Sequence, residues 1–162
     1  MKDFLVSPMW FLIYDTGFSL KDMSVFLNFN PEQEPRHYRN NGWWNFVENQ
    51  WANYDEEPNY YLLEVTGDYK GKGWKEQEKE IANSGQEFQR ASTRLMISLS
   101  IAWFLSKGVY LQKTCYHWGP ESGANGVRCA SCFDEKGFAL FNWNELCPKK
   151  NLGTFIIRKF DF

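Results

Sequence analysis

The chain has 162 residues, of which 43% are hydrophobic and 23% charged, and this balance predicts one folded domain over residues 1–162 rather than a disordered chain. Its formal net charge of −2 argues against a general coat protein for nucleic acids, which needs a clustered basic surface. Aromatic residues make up 19%, and because tyrosine and tryptophan suit interfaces, we expect some of these rings on the surface.

An apolar run opens the chain at residues 4–14, and a second one covers Leu95–Leu105. Pro8 interrupts the first run, and bulky rings fill its end, where a signal peptide has small residues at a cleavage site. The second run is about half of the ~20 residues that a membrane-spanning helix needs. We therefore expect two buried segments, no membrane partner and a cytoplasmic protein whose cysteines stay reduced.

Periodic apolar residues predict two helices followed by a strand. Ser19 and Asp22 form a partial capping box ahead of a helix over residues 20–28. A second helical face consists of residues at positions i, i+3, i+7 and i+10, namely Trp44, Val47, Trp51 and Tyr54. Residues 60–66 are rich in aromatic and branched side chains, which predicts a strand.

The turn that follows the second helix lies in an acidic part of the chain. Residues 1–60 hold four basic and nine acidic side chains. Rings beside carboxylates suit a basic partner surface, so we predict partner-binding residues in and near this turn: Trp43, Tyr54, Asp55, Glu56 and Glu57. The alternative interpretation is a solvated connection between a helix and a strand.

Apolar residues recur every seven positions from Trp74 to Ala102, which predicts one long central helix, or two helices broken at Ser84-Gly85. Beyond Gly108 the pattern changes to short extended runs at residues 109–117, 127–133, 138–143 and 154–162. Helices first and strands last predict an α+β fold. In that fold the N-terminal helices and the long central helix pack on a C-terminal antiparallel sheet, and residues 109–162 form a cysteine-containing, β-rich part.

All four cysteines lie in this β-rich part, together with His117. We expect the Cys129-x-x-Cys132 segment to form a turn that brings two thiolates within reach of one ion, and tetrahedral zinc takes four such ligands. The candidate ligands of a structural zinc ion are Cys115, His117, Cys129, Cys132 and Cys147. Free buried thiols, or a disulfide or redox pair, are the alternatives.

The motifs of the common enzyme classes are incomplete in this chain. His117 is followed by Trp118 and Gly119, where a zinc deaminase has its acid–base glutamate. The glycine-rich segment at residues 67–73 lacks the Ser or Thr that a P-loop places after Gly-Lys. The sequence therefore favours a protein that is not an enzyme, while an active site assembled from distant residues stays an alternative.

Two binding functions fit these patterns. The first is a small accessory or inhibitory protein, of the kind that phages, mobile elements and immunity systems use, which docks on a basic partner through acidic and aromatic side chains. The second is a zinc-stabilised nucleic-acid adaptor. It would use basic side chains of the C-terminal half, namely Lys136, Lys149, Lys150, Arg158 and Lys159.

Overall fold

The computed structural model describes residues 10–28, 47–64, 69–85, 87–113, 116–122, 127–147 and 149–160. In chain order the elements are β1 (Trp10–Asp15), α1 (Leu20–Asn28), a 3₁₀-helix (Val47–Asn53), β2 (Asn59–Glu64), α2 (Trp74–Ser84), β3 (Phe88–Arg90), α3 (Thr93–Lys107), β4 (Tyr116–Ser122), β5 (Arg128–Asp134), β6 (Gly137–Trp143), β7 (Leu152–Gly153) and β8 (Ile156–Lys159). Helices packed against two mainly antiparallel sheets confirm the predicted α+β class.

The first sheet has the strand order β1-β2-β8-β3 and is antiparallel throughout. β1 and β2 pair along six residues, from Trp10 opposite Glu64 to Asp15 opposite Asn59. β8 lies between β2 and β3, in a different sheet from β5 and β6. The C-terminal strands thus divide between two sheets, where the sequence predicted one.

The second sheet has the order β6-β5-β4-β7, in which β7 runs parallel to β4 and the other pairs are antiparallel. His117 lies opposite Ser131, and Trp118 lies opposite Ala130. Because successive side chains of a strand point to opposite faces, these two pairs lie on different faces of the sheet. The predicted strand over residues 109–117 begins only at Tyr116, after a turn at residues 111–113.

Local signals explain where two of the helices begin and end. The Ser19 hydroxyl accepts a hydrogen bond from the N–H of Asp22 at 3.1 Å, which confirms the predicted start of α1. α2 ends at Ser84, and Gly85 has a φ of +139°. Of the two alternatives for the central segment, the break at Ser84-Gly85 is therefore correct, and the short strand β3 separates the two helices.

The long central helix is α3, with 15 residues. Ser92 caps its N-terminus by accepting the N–H of Leu95 at 3.1 Å. Gly108 ends it in the left-handed region, with its N–H donated to the Phe104 carbonyl at 2.7 Å. No helix in the described ranges is long and apolar enough to cross a membrane.

The core forms where α3 contacts both sheets. Its residues that face the first sheet pack against strand residues of that sheet, in a cluster that includes Leu95, Leu99, Leu63 and Ile157. Its residues that face α1 and the second sheet form another cluster, which includes Ile97, Ile101, Leu20, Phe133 and Phe138. The predicted burial of this helix holds as far as Ile101, whereas Leu105 is 63% exposed. The burial expected for the apolar run at residues 4–14 is wrong at Leu12 and Tyr14, which are exposed.

Candidate functional site

A buried ion pair joins the first turn of α3 to the end of β1. Arg94 Nη2 donates to Asp15 Oδ2 at 2.7 Å, and the two side chains are only 2% and 0% exposed. The Ser98 hydroxyl also donates to the Asp15 carboxylate. Burial alone would lower the pKa of Arg94, but hydrogen bonds to Glu56 and Asp15 raise that pKa above its ordinary value. The guanidinium therefore stays charged and fixed in place.

The turn at residues 54–58 is attached to this ion pair. Glu56 Oε2 accepts a hydrogen bond from Arg94 Nη2 at 2.8 Å, and Asp55 Oδ1 accepts the N–H of Ser19 at 2.7 Å. The Glu56 N–H donates to the Gly17 carbonyl at 2.8 Å. Two of the predicted partner-binding residues, Asp55 and Glu56, thus also accept hydrogen bonds from other residues of the same chain.

Gly17 is required by this close approach. Its φ of +81° is a conformation that other residues rarely adopt. A Cβ atom at this position would lie 2.0 Å from the carbonyl oxygen of Glu56. The absence of a side chain therefore allows the loop at residues 16–19 to lie against the turn.

Exposed rings occur both in the turn and in the loop that is hydrogen-bonded to it. Tyr54 is 66% exposed and Phe18 is 57% exposed, while Asp55, Glu56 and Glu57 are also exposed. We call these five residues the acidic aromatic surface. Its exposure agrees with the prediction of a solvent-facing turn, and whether it binds a partner stays a prediction.

A second pair of rings adjoins this surface. Tyr14 and Tyr60 lie opposite each other on β1 and β2, with ring centroids 5.0 Å apart. They are 51% and 40% exposed. The next pair along the strands is Asp15 and Asn59, directly before the loop and directly after the turn. Exposed aromatic area thus continues from the turn onto the outer face of the first sheet.

The sequence missed several residues of this region, and Trp43 of the predicted set lies outside the described residues. Arg94 was the available signal, because a single charge at the start of an apolar helix needs a buried partner. The partner could not be identified, since Asp15 is 79 positions away. Phe18 gave no signal in the sequence, because its exposure follows from the loop geometry.

The candidate zinc ligand His117 lies buried in β4. Its ring packs on Phe155 with centroids 4.4 Å apart, and its Nδ1 lies 3.3 Å from Nε2 of Gln112. Burial lowers the pKa of His117 to about 3, helped by the charge of Lys70, so the ring is neutral at neutral pH. A neutral imidazole is the form that binds metals, but the contacts described for this ring are with the Gln112 amide and the Phe155 ring, neither of which binds zinc.

Cys129 and Cys132 both lie within β5, so the predicted turn at this C-x-x-C segment is wrong. Residues three apart on a strand point to opposite faces, which separates the two thiols. Burial raises the pKa of Cys129 to about 12 and the pKa of Cys132 to about 11. Without a metal, both thiols are therefore protonated at neutral pH.

The remaining cysteines complete the predicted ligand set. Cys147 is exposed after β6, and Cys115 lies outside the described residues. Within the part of the chain that the structure describes, no three His, Cys, Asp or Glu side chains are grouped so that they could hold a metal ion. The zinc site stays a prediction: of its described candidate ligands, His117 lies in β4, Cys129 and Cys132 point to opposite faces of β5, and Cys147 follows β6.

A second cluster joins α2 to the second sheet. The guanidinium carbons of Arg90 and Arg128 lie 3.8 Å and 4.4 Å from the ring centroid of Trp74. Arg90 also donates to Gln77 and Glu78, at 2.8 Å in each case. Burial lowers the pKa of Arg90 to about 10, although the bond to Glu78 opposes this. The buried residues of this cluster, Trp74, Gln77 and Arg90, form a structural connection between the helix and the sheets.

The outer half of the same cluster reaches the surface. Arg128 lies opposite Trp143 in the register of β5 and β6, and Lys149 Nζ lies 4.0 Å from the Trp143 ring centroid. Cations and rings therefore alternate from Trp74 through Arg128 and Trp143 to Lys149, and we call these four residues the cation–aromatic row. Each such contact contributes about 0.5–2 kcal/mol, depending on its exposure.

Comparison with protein-family models, curated proteins and solved structures finds no match. What the chain can bind is therefore inferred from its own two surface clusters. The acidic aromatic surface presents negative charge beside exposed rings, whereas the cation–aromatic row presents the charge of Lys149 beside Trp143, since Arg128 is paired with Glu145 at 3.2 Å. The two clusters suit partners of opposite charge.

Proposed function

We propose that this protein acts by binding another protein, as a small accessory or inhibitory protein of the phage, mobile-element or immunity kind. It docks on a basic surface of its partner through the acidic aromatic surface. The observation that supports this proposal most is the exposure of Tyr54 and Phe18, at 66% and 57%, in a carboxylate-rich turn and in the loop that is hydrogen-bonded to it. Exposed aromatic side chains supply the anchors that dominate many protein interfaces.

The charge of this region supports a basic partner. Four carboxylates, those of Asp15, Asp55, Glu56 and Glu57, are opposed by the guanidinium of Arg94. Arg94 balances only one of them, so the region keeps a net negative charge. Complementary charge steers a partner towards the surface and raises the rate of association.

The attachment of the turn also favours binding. Hydrogen bonds from Ser19 and Arg94 hold Asp55 and Glu56 in place. A surface that is already ordered loses less conformational entropy when a partner binds. The rings are thus presented on a rigid support.

The experiment compares wild-type and variant proteins as baits in affinity capture from the native cell, followed by mass spectrometry. Tyr54→Ala removes an exposed anchor, and Leu146→Ala is the control, because Leu146 is 76% exposed outside this surface. We expect a basic protein that wild-type and Leu146→Ala baits retain and the Tyr54→Ala bait loses. Equal recovery with all three baits would contradict the proposal.

Binding kinetics with the captured partner then distinguish the contribution of surface charge to association from the contribution of ring contacts to the stability of the complex. Glu57→Lys should slow association, most strongly at low salt, because surface charges steer the encounter. Tyr54→Ala should mainly accelerate dissociation, because it removes a contact from the formed complex. An association rate of Glu57→Lys that equals the wild-type rate at low salt would show that the charge has no part in docking.

The cation–aromatic row favours a second candidate, a nucleic-acid adaptor. Alternating cations and rings suit phosphates and stacked bases of a single strand. Of the basic residues predicted for this function, Lys149 belongs to the row, whereas Arg158 and Lys159 lie in β8 of the other sheet. A steep loss of oligonucleotide binding with rising salt, and a smaller salt slope for Lys149→Ala, are the expected results.

A further inference from the structure

β1 is an edge strand without the features that usually protect an edge. All its described pairing is with β2, along six residues, and no strand lies on its other side in the described part of the chain. Proteins block such edges with lysine, proline, bulges or covering segments. β1 reads Trp-Phe-Leu-Ile-Tyr-Asp, and its one charged residue, Asp15, is buried in the ion pair with Arg94. Among the described residues, its outer backbone groups thus have no strand partner.

The core behind this edge is incomplete. Phe11 lies opposite Leu63, and Ile13 lies opposite Tyr61, on the face that packs towards α3. Leu63 and Tyr61 are 0% and 6% exposed, whereas Phe11 and Ile13 remain only half-buried. A strand beside β1 would complete the burial of both side chains.

The opposite face of the edge is more exposed still. Leu12 is 60% exposed and Tyr14 is 51% exposed. Both side chains point away from the α3 face, because they alternate with Phe11 and Ile13 along the strand. β1 thus leaves apolar area open to water on both faces of the sheet, and burial of such area favours association.

We propose that β1 pairs antiparallel with β1 of a second copy of this chain, which joins the two first sheets into one continuous sheet of eight described strands. An identical strand fits this edge because residues 10–14 carry no charge, so apolar side chains meet apolar side chains along the contact. Antiparallel pairing places the two Asp15 residues at opposite ends, which keeps like charges apart. A twofold interface of this kind is self-complementary, and its closed symmetry prevents further growth.

The test measures the mass of the purified protein in solution over a range of concentrations, by sedimentation equilibrium. The expected mass of the wild-type protein is twice the 19.2 kDa of one chain. Leu12→Lys places a charge on the edge and should weaken dimerisation at least about tenfold. The control is Leu105→Lys, at a residue that is 63% exposed at the end of α3, and this variant should dimerise like the wild type.

Hydrogen exchange provides a second measurement that does not depend on a single variant. Amides of β1 on the unpaired edge should exchange more slowly at concentrations where the dimer forms, and circular dichroism shows whether Leu12→Lys keeps its fold. A wild-type protein that stays a single chain at all concentrations would overturn the proposal. So would a Leu12→Lys dimer as stable as the wild-type dimer, or a dimer that Leu105→Lys weakens equally. Because no other partner is needed, the result is independent of the partner-binding function.

Discussion

Glu56 of the exposed turn binds the buried guanidinium of Arg94, which lies 38 positions further along the chain. The carboxylate is 44% exposed and the guanidinium 2% exposed, so one residue connects the surface to the core. A lysine at position 56 would meet Arg94 with the same sign of charge. Tests of docking therefore need Glu57, which is exposed, rather than a reversal of all three charges in the turn.

The first prediction concerns the ion pair behind the turn. Arg94→Met leaves the Asp15 carboxylate buried without its cation and should lower the free energy of unfolding by about 3–5 kcal/mol. Asp15→Asn should cost less, because Glu56 still neutralises Arg94. Urea unfolding measures both, with Lys75→Met at an exposed position of α2 as the control. A loss for Arg94→Met no larger than that for Lys75→Met would mean that the pair is not a source of stability.

The double variant Asp15→Asn/Arg94→Met extends this test. It removes both charges, so its loss should be smaller than the sum of the two single losses. Strict additivity would show that the two side chains do not interact in solution.

The second prediction concerns Gly17. Gly17→Ala introduces a Cβ atom 2.0 Å from the Glu56 carbonyl oxygen at a φ of +81°, so the turn must move away from the loop. Gly108→Ala is the matched control, because Gly108 has a φ of +68° but nothing within 4 Å of a new Cβ atom. We expect a loss of about 1 kcal/mol for Gly108→Ala from backbone conformation alone, and a clearly larger loss for Gly17→Ala. Equal melting temperatures of the two variants would contradict the close approach.

The third prediction is a dependence of stability on pH that arises from Glu121. Its carboxylate accepts the N–H of Thr93 at 3.0 Å and the Thr93 hydroxyl at 2.6 Å. Burial raises the pKa of Glu121 above its ordinary value, although the bonds from Thr93 partly oppose this. The folded chain therefore holds this proton more tightly than the unfolded chain does. It follows that the contribution of Glu121 to stability is largest at low pH and is lost as the pH rises through the folded-state pKa.

Urea unfolding at a series of pH values measures this effect. The difference in unfolding free energy between the wild type and Glu121→Gln should shrink or reverse as the pH rises above the ordinary value of 4.5. Glu76→Gln, at an exposed position of α2, controls for the loss of one carboxylate elsewhere. Parallel curves for the wild type and Glu121→Gln would refute the prediction.

The fourth prediction concerns zinc. Protein purified under reducing conditions without a chelator should contain about one zinc ion per chain by elemental analysis. Because the pKa of the Cys129 thiol is about 12 without metal, zinc binding through this residue must release a proton, which a pH-stat titration detects. Cys129→Ser should then lose the metal. A zinc content near zero in the wild type would leave the buried thiols as ordinary core residues.

The sequence predicted elements that are encoded locally. The capping box at Ser19 predicted α1 correctly, and the short extended runs at residues 127–133 and 138–143 predicted most of β5 and β6. It missed β3, because three residues between two helices give too little periodicity to recognise. The position of β8 in the first sheet could not be predicted either, because no local pattern encodes which distant strands will pair.

The candidate site shows the same limit. The acidic residues were enough to predict that the turn is exposed, but the hydrogen bonds of Asp55 and Glu56 connect distant parts of the chain. Glu78 is likewise 50% exposed, yet its carboxylate binds the buried Arg90, a contact that no local pattern predicts. The C-x-x-C segment was wrongly predicted as a turn. It is held as a strand because it pairs with β4 on one side and β6 on the other, and no property of the segment itself reveals those neighbours.

The position of β8 in the first sheet has a consequence for biosynthesis. β1 and β2 emerge from the ribosome early, but the strand that covers the second edge of β2 is translated only after helices α2 and α3 and the whole of the second sheet. Until then the nascent pair of β1 and β2 exposes apolar side chains and unpaired backbone groups, a state that aggregates readily. Chaperones that hold nascent chains should therefore influence the yield of this protein more than they influence that of a protein whose sheets close in chain order.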